Sequence, residues 1–245
     1  MITQTDELPA KCSPTSADSP QVDEILLTVL IPVYNEAATI ESLLARVLSA
    51  PYRKQVIIID DGSTDATAAL LEKWASYPEI LLLRHRKNQG KGTAIRTGLS
   101  AAQGRFTLIQ DADLEYDPAD YPRLIEPLRR GEAFVVYGSR YLSASPRTGS
   151  GPLWCRGGVA LLNASVRLLY GIRLTDEATC YKAFPTELLR RLDLQCRRFE
   201  FCPEVTAKVC RMGLTILEVP IHYHPRAISQ GCLLYTSPSP RDRQK

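Results

Sequence analysis

Residues 106–115 read FTLIQDADLE, an apolar run that stops abruptly on carboxylates. Phe106 to Gln110 has the make-up of a strand buried on both faces. Asp111, Ala112 and Asp113 stand where that strand would leave its sheet. The pattern repeats on either side. Leu26 to Val33 (LLTVLIPV) leads into Asn35-Glu36, Val56 to Ile59 into Asp60-Asp61-Gly62, and Ile80 to Leu83 toward Asn88 to Gly92. Ala133 to Tyr137 leads into Gly138-Ser139-Arg140. Between these runs the apolar spacing turns helical. Ile40, Leu43, Leu44, Val47 and Leu48 predict a helix over Glu36 to Leu48. Thr64 is expected to cap a helix through Leu70, Leu71 and Trp74, Gly92 to Ala102 is a third helix, and Pro118 opens a fourth. Such alternation over residues 25–140 argues an α/β fold, a mostly parallel central sheet flanked by helices in three layers. In open α/β sheets ligands bind beyond the carboxyl ends of the strands, and here every polar cluster falls at such an end.

The second half is less regular. Ser143 to Pro152 reads as a loop, Leu153 to Tyr170 as a long apolar helix, Thr175 to Cys180 as a polar turn, Pro203 to Met212 as a helix and Thr215 to Val219 as a last strand. Residues 1–24 are rich in Thr, Ser, Pro and Asp, carry a charge of −4 and read as a disordered arm. They lack the basic start and apolar core of a secretory signal. Cys232 to Asp242 resembles one frame of an adapter used to prepare sequencing libraries. Residues 232–245 are therefore expected to be a non-native tail, and 25–231 a domain that lacks its natural C-terminal end; the alternative is a native Pro/Ser-rich tail.

The 245 residues are 44% hydrophobic and 23% charged, which suits a packed globular domain and not a disordered or disulfide-scaffold chain. Seven cysteines show no CxxC pair and are expected to be free thiols. No run approaches the ~18 apolar residues of a spanning helix. Residues 25–231 carry a net charge of +5, mildly suited to an anionic ligand or membrane surface; no nucleic-acid partner is expected.

In an extended chain, residues two apart point the same way, so Asp111, Asp113 and Glu115 are expected to converge. Three uncompensated carboxylates repel, and a divalent cation resolves the repulsion. Hard oxygen donors suit Mg²⁺ or Mn²⁺, which also takes phosphate oxygens. Asp61 is a reasonable acceptor for a base or ribose group. The Gly90-Lys91-Gly92 turn would let backbone approach a phosphate, but it is neither a P-loop nor a dinucleotide fingerprint. The histidines His85, His222 and His224 form no metal set and are expected at the surface or a pocket rim.

The ordered set IPVYNE, IIIDDGSTD, NQGKGTAIRTG, DADLEYDPADYPRLIEPL, VVYGSRY and TDEATCYKAF resembles family 2 glycosyltransferases. Within them it resembles most the dolichol- and polyprenyl-phosphate sugar synthases, over about residues 26–228. The resemblance implies a GT-A nucleotide-sugar-binding fold. By it, Pro32, Tyr34 and Glu36 line the nucleotide pocket, and Ile59 and Asp61 contact base and ribose. Asp111, Ala112 and Asp113 hold the metal and diphosphate, with Glu115 a less secure ligand. Arg140 contacts diphosphate or sugar, and Arg226 closes over the nucleotide. The lysine-rich stretch that follows in the family is absent.

The implied reaction is an inverting transfer of a hexose from a nucleotide sugar, GDP-mannose or UDP-glucose, to a polyprenyl or dolichyl monophosphate. A phosphomonoester, with its second pKa near 6, is already largely a dianion at neutral pH and needs no strong base. Arg147, Arg156 and Lys182 are candidates to seat that phosphate, with Asp176 orienting neighbouring groups. A transferase acting on a saccharide or protein hydroxyl would instead need Asp176 or Glu177 as general base. A catalytically silent nucleotide-binding module is a further alternative. The helix Leu153 to Tyr170 is suited either to a membrane surface or to a core or dimer contact, and a peripheral place on the cytoplasmic face of a membrane is expected.

Overall fold

A computed structural model describes residues 25–142 and 153–226. The arm 1–24, the tail 232–245 and Arg147 lie outside the described residues, and Arg156 lies in a helical turn whose side chains are not described.

The buried runs form a seven-stranded sheet in the order β3-β2-β1-β4-β6-β5-β7. The strands are β1 (Leu27–Val33), β2 (Lys54–Asp60), β3 (Ile80–Arg84), β4 (Phe106–Ile109), β5 (Val135–Ser139), β6 (Lys182–Pro185) and β7 (Ile216–Pro220). β1 pairs in parallel with both β2 and β4, β2 with β3, and β5 with β7. β6 alone runs antiparallel, between β4 and β5. β2 is buried at every position and β1 at all but Pro32, as a central parallel strand must be. The helices are α1 (Ile40–Ser49), α2 (Thr67–Trp74), α3 (Lys91–Ser100), α4 (Tyr121–Arg129), α5 (Leu153–Tyr170), α6 (Thr186–Arg191) and α7 (Phe201–Arg211). α1 buries Ile40, Leu43, Leu44 and Val47, the stripe its spacing predicts.

Three local expectations change. The first helix starts at Ile40 and not at Glu36, because Asn35 takes a left-handed φ of 54° and turns the chain before the helix begins. The second is preceded by Ala66, and Thr64 turns to Asn35 instead, its amide donating to Asn35 Oδ1 at 2.8 Å. β6 is not expected from the sequence, because four residues led by a lysine show no strand period. The Lys182 ammonium is wholly buried, donating to the Glu177 carbonyl at 2.6 Å and lying 3.8 Å from the Tyr137 ring centre. The described cysteines, Cys180, Cys196, Cys202 and Cys210, are unpaired thiols.

Candidate active site

The carboxyl ends of β1, β2 and β4 bring Glu36, Asp61, Asp111 and Asp113 to one side of the sheet. The chain leaving β4 does not stay extended. Leu114 has a φ of 62°, so the chain turns between Asp113 and Glu115. The Glu115 oxygens accept the Tyr223 hydroxyl at 2.8 Å and the Arg226 amide at 3.0 Å. Glu115 is thus tied to the segment 221–226, which crosses the turn through a Tyr116–Tyr223 bridge, while its carboxylate stays close enough to Asp113 for both to face Arg226.

The pair Asp111 and Asp113 is short of positive charge. Lys91, the first residue of α3, donates to Asp111, with Cys180 Sγ at 3.6 Å behind it. Burial works against the Lys91 ammonium, but Asp111 outweighs it and holds its pKa well above the ordinary range. Asp113 has only a share of Arg226, whose guanidinium lies 3.3 Å from it while bonding Glu36 at 3.0 and 3.1 Å. Burial first, then the Asp111 and Glu115 carboxylates, push the Asp113 carboxyl up to about 7. Among the described residues no three His, Cys, Asp or Glu are arranged to hold an ion. Two hard oxygen donors with unmet negative charge nevertheless fit a divalent cation that completes its shell with water and phosphate.

Asp61 is 3% exposed and already holds three donors: the His85 ring at 2.6 Å and the amides of Gln89 and Gly90 at 2.9 and 2.7 Å. His85 is therefore half-buried against Asp61, at the rim of the same strand ends. Pro32 and Tyr34 flank the same end of β1, Tyr34 being 39% exposed. Ile59 is wholly buried, and a Cβ on Gly98 of α3 would come within 2.7 Å of its Cδ1, so its side chain belongs to the core and not to a base-binding surface. The Ala112 carbonyl accepts the Thr39 hydroxyl at 2.8 Å.

The glycine turn before α3 has another use than phosphate approach. Gly90, at φ 96°, has the Arg197 carbonyl 2.4 Å from where a Cβ would sit, and the amides of Gly92 and Thr93 donate to the carbonyls of Arg198 and Arg197. The helix N-terminus is capped by protein backbone.

At the end of β5, Arg140 is locked to Asp176. Its Nε and Nη2 donate to the two carboxylate oxygens at 2.7 Å each, and its amide adds a bond at 3.0 Å. The side chain of Asp176 is wholly buried, and both its oxygens are taken. Glu177 points away from the site into the protein, accepting Thr206 at 3.0 Å. Lys182, expected at an acceptor phosphate, is corrected to an interior cation, because its ammonium is enclosed by the sheet. Lys91 and Tyr223 complete the site, and the sequence pattern does not single them out: Lys91 lies in a motif that reads first as a glycine turn, although the neighbouring carboxylates call for a cation, and no spacing signals Tyr223.

A family model for glycosyl transferase family 2 matches residues 28–193. The dodecaprenyl-phosphate galacturonate synthase of Rhizobium johnstonii is 27% identical over 223 residues, 87% of this chain and 63% of that protein. This chain thus spans less than two thirds of that relative. The undecaprenyl-phosphate mannosyltransferase of Micrococcus luteus is 28% identical over 212 residues, 82% of this chain and 85% of that one. Among solved structures, a mannosyltransferase from Pyrobaculum calidifontis in complex with GDP-Man and Mn²⁺ is similar with a TM-score of 0.56 at 24% identity, over 81% of this chain and 56% of that chain. The fold is of the GT-A type. The matched stretch contains every carboxylate-bearing strand end described above, and the chain belongs to glycosyl transferase family 2.

Proposed function

We propose that this protein is an inverting transferase that moves a hexose from a nucleotide sugar, GDP-mannose or UDP-glucose, to a polyprenyl monophosphate with the help of Mg²⁺ or Mn²⁺. One observation carries the choice of acceptor. Asp176 is wholly buried in a bidentate pair with Arg140, and Glu177 is wholly buried and turned inward, so neither carboxylate considered for a general-base role is presented to an acceptor hydroxyl. A hydroxyl acceptor needs such a base; a phosphate dianion does not. The names of the relatives, which include polyprenyl-phosphate sugar synthases, support the same reading.

In this reading Asp111 and Asp113 hold the cation, which neutralises the leaving diphosphate when bound. Arg226 moves part of its charge from Glu36 and Asp113 to the diphosphate, and Lys91 stays close enough to Asp111 to follow. Asp61 and the end of β1 hold the base. Arg140, fixed by Asp176, offers an edge of its guanidinium to the sugar or the acceptor. The acceptor oxygen attacks the anomeric carbon in line as the bond to the diphosphate breaks, so these residues supply positioning and charge more than proton transfer.

The lipid is expected to approach along α5. Leu161, Leu168 and Leu169 are strongly exposed there, Arg167 and Arg173 accompany them, and no acidic residue occurs from 153 to 173. Such a face suits an anionic bilayer surface, consistent with a peripheral place on the cytoplasmic side. Among the described residues no helix is long and apolar enough to cross a membrane. The test is a transfer assay with each nucleotide sugar, Mn²⁺, and either undecaprenyl phosphate or undecaprenol. Glycolipid formed only from the phosphate is expected; equal use of the alcohol overturns the proposal.

A further inference from the structure

His85 stands apart from His222: its side chain is 8% exposed against 54%. It follows β3 directly and joins two elements. Nδ1 lies 2.6 Å from Asp61 Oδ1 at the end of β2, and Nε2 lies 3.0 Å from Thr97 Oγ1 on α3. A carboxylate oxygen only accepts, so Nδ1 carries the proton in this contact. Asp61 Oδ1 also accepts the Gln89 amide, and Oδ2 accepts the Gly90 amide. Each carboxylate oxygen has about two acceptor positions. Both on Oδ1 are filled, and one on Oδ2 is left.

We propose that His85 is a positioning residue that locks Asp61 as an acceptor with its one free lone pair toward the donor base. The site then selects bases that present a ring N–H at that edge, uracil and guanine, over those that present a bare ring nitrogen, cytosine and adenine. The inference rests on the nucleotide-sugar reading and adds to it the residue that sets base selectivity. Without the imidazole, the carboxylate loses the one side-chain restraint among its three and turns about its own bonds. The two backbone amides that remain, one on each oxygen, hold it less firmly than three donors do. A buried acceptor facing a second acceptor is left unpaired, which is how a hydrogen-bonding site rejects a near-isostere.

The test is calorimetric titration of UDP, GDP, CDP and ADP, with Mn²⁺, into the wild type, His85→Asn and His85→Leu, with pyrophosphate as a base-free probe. Asn keeps a donor where Nδ1 stands; Leu keeps only the bulk. The wild type is expected to favour UDP or GDP over CDP and ADP by at least about 10-fold. His85→Asn retains that ratio, and His85→Leu reduces it to under about 3-fold with pyrophosphate affinity and melting temperature unchanged. Binding of CDP or ADP by the wild type as tight as that of the better of UDP and GDP overturns the inference, as does an unaltered ratio in His85→Leu. Loss of pyrophosphate binding together with a lowered melting temperature in His85→Leu makes the role structural and also overturns it. Failure of the wild type to bind any nucleotide overturns the nucleotide-sugar reading and this inference together. Should His85→Leu not fold, Thr97→Val frees the far ring nitrogen and is expected to shrink the ratio by a smaller factor; no change there overturns the inference.

Discussion

Asp176 and Asp113 are both buried aspartates beside the same site, in opposite surroundings of charge. Asp176 has a cation to itself, Arg140, which meets both of its oxygens at 2.7 Å. Asp113 shares Arg226 with Glu36 and Glu115, and its nearest guanidinium nitrogen is at 3.3 Å. Both are close to fully buried, at 0% and 7% exposure. Burial alone therefore does not make a functional carboxylate; the number of acids per cation does. A closed pair braces β5 against the segment before β6. A pair left short of charge is a place for an added cation.

The widest gap between the two regions should appear on removal of the acid. Asp176→Ala leaves the Arg140 guanidinium buried and unpaired, which costs about 3–5 kcal/mol. Urea unfolding checks this. Asp113→Asn is expected to leave stability unchanged or slightly raised without metal, because it relieves repulsion. It should nonetheless reduce Mn²⁺-dependent nucleotide binding by about 100-fold or more, the loss of a charged ligand being worth about 3 kcal/mol. If both variants unfold equally early, the contrast between the regions does not hold.

A second difference lies in pH. The Asp113 carboxyl is pushed up to about 7 in the folded protein, against about 3.9 in an unfolded chain. The folded state therefore binds the extra proton between those values. Its contribution to stability is present below about pH 4 and is lost as pH rises to about 7. Thermal melts at pH 5 and 7.5 should show this decline, a smaller one in Asp113→Asn, and a larger gain from Mn²⁺ at pH 7.5 than at pH 5. An equal gain at both values would count against an under-neutralised site.

The mildest effect is expected at a third acid and with the opposite sign. Glu204 is held down to about 2, because the amides of Gln195 and Cys196 and the Lys208 ammonium outweigh its burial. Its stabilisation is present above about pH 4.5 and is lost as pH falls toward 2. Glu204→Gln should cost about 1–2 kcal/mol at pH 7, with no difference from wild type near pH 2. The loop it holds, 195–198, caps the start of α3, so the variant also shows how far a looser loop reaches the Lys91–Asp111 contact; a change in Mn²⁺ affinity by titration would report it.

The N-terminal half was legible because burial and period there agree. Val56 to Ile59 can only be an inner strand, and a chain that leaves it on two aspartates puts charge at the sheet's edge. Asp111 and Asp113 were found by that logic, and the resemblance added Arg140 and Arg226. The second half was harder. α5 and α7 keep helical spacing and were placed to within two residues at either end. β6 has no period of its own and becomes a strand only because β4 and β5 lie on either side of it. Lys182 misled for the same reason: a lysine after a polar turn looks exposed until the sheet closes over it.

Residue type and local period thus settle where strands and helices lie and which carboxylates leave the sheet together. Partner choice is another matter. Asp61 finds His85, Asp113 finds Arg226 and Asp176 finds Arg140 across 24, 113 and 36 residues of chain. A carboxylate's charge state depends on cations within a few ångströms and on how much water is left around it, and both exist only once the chain has packed.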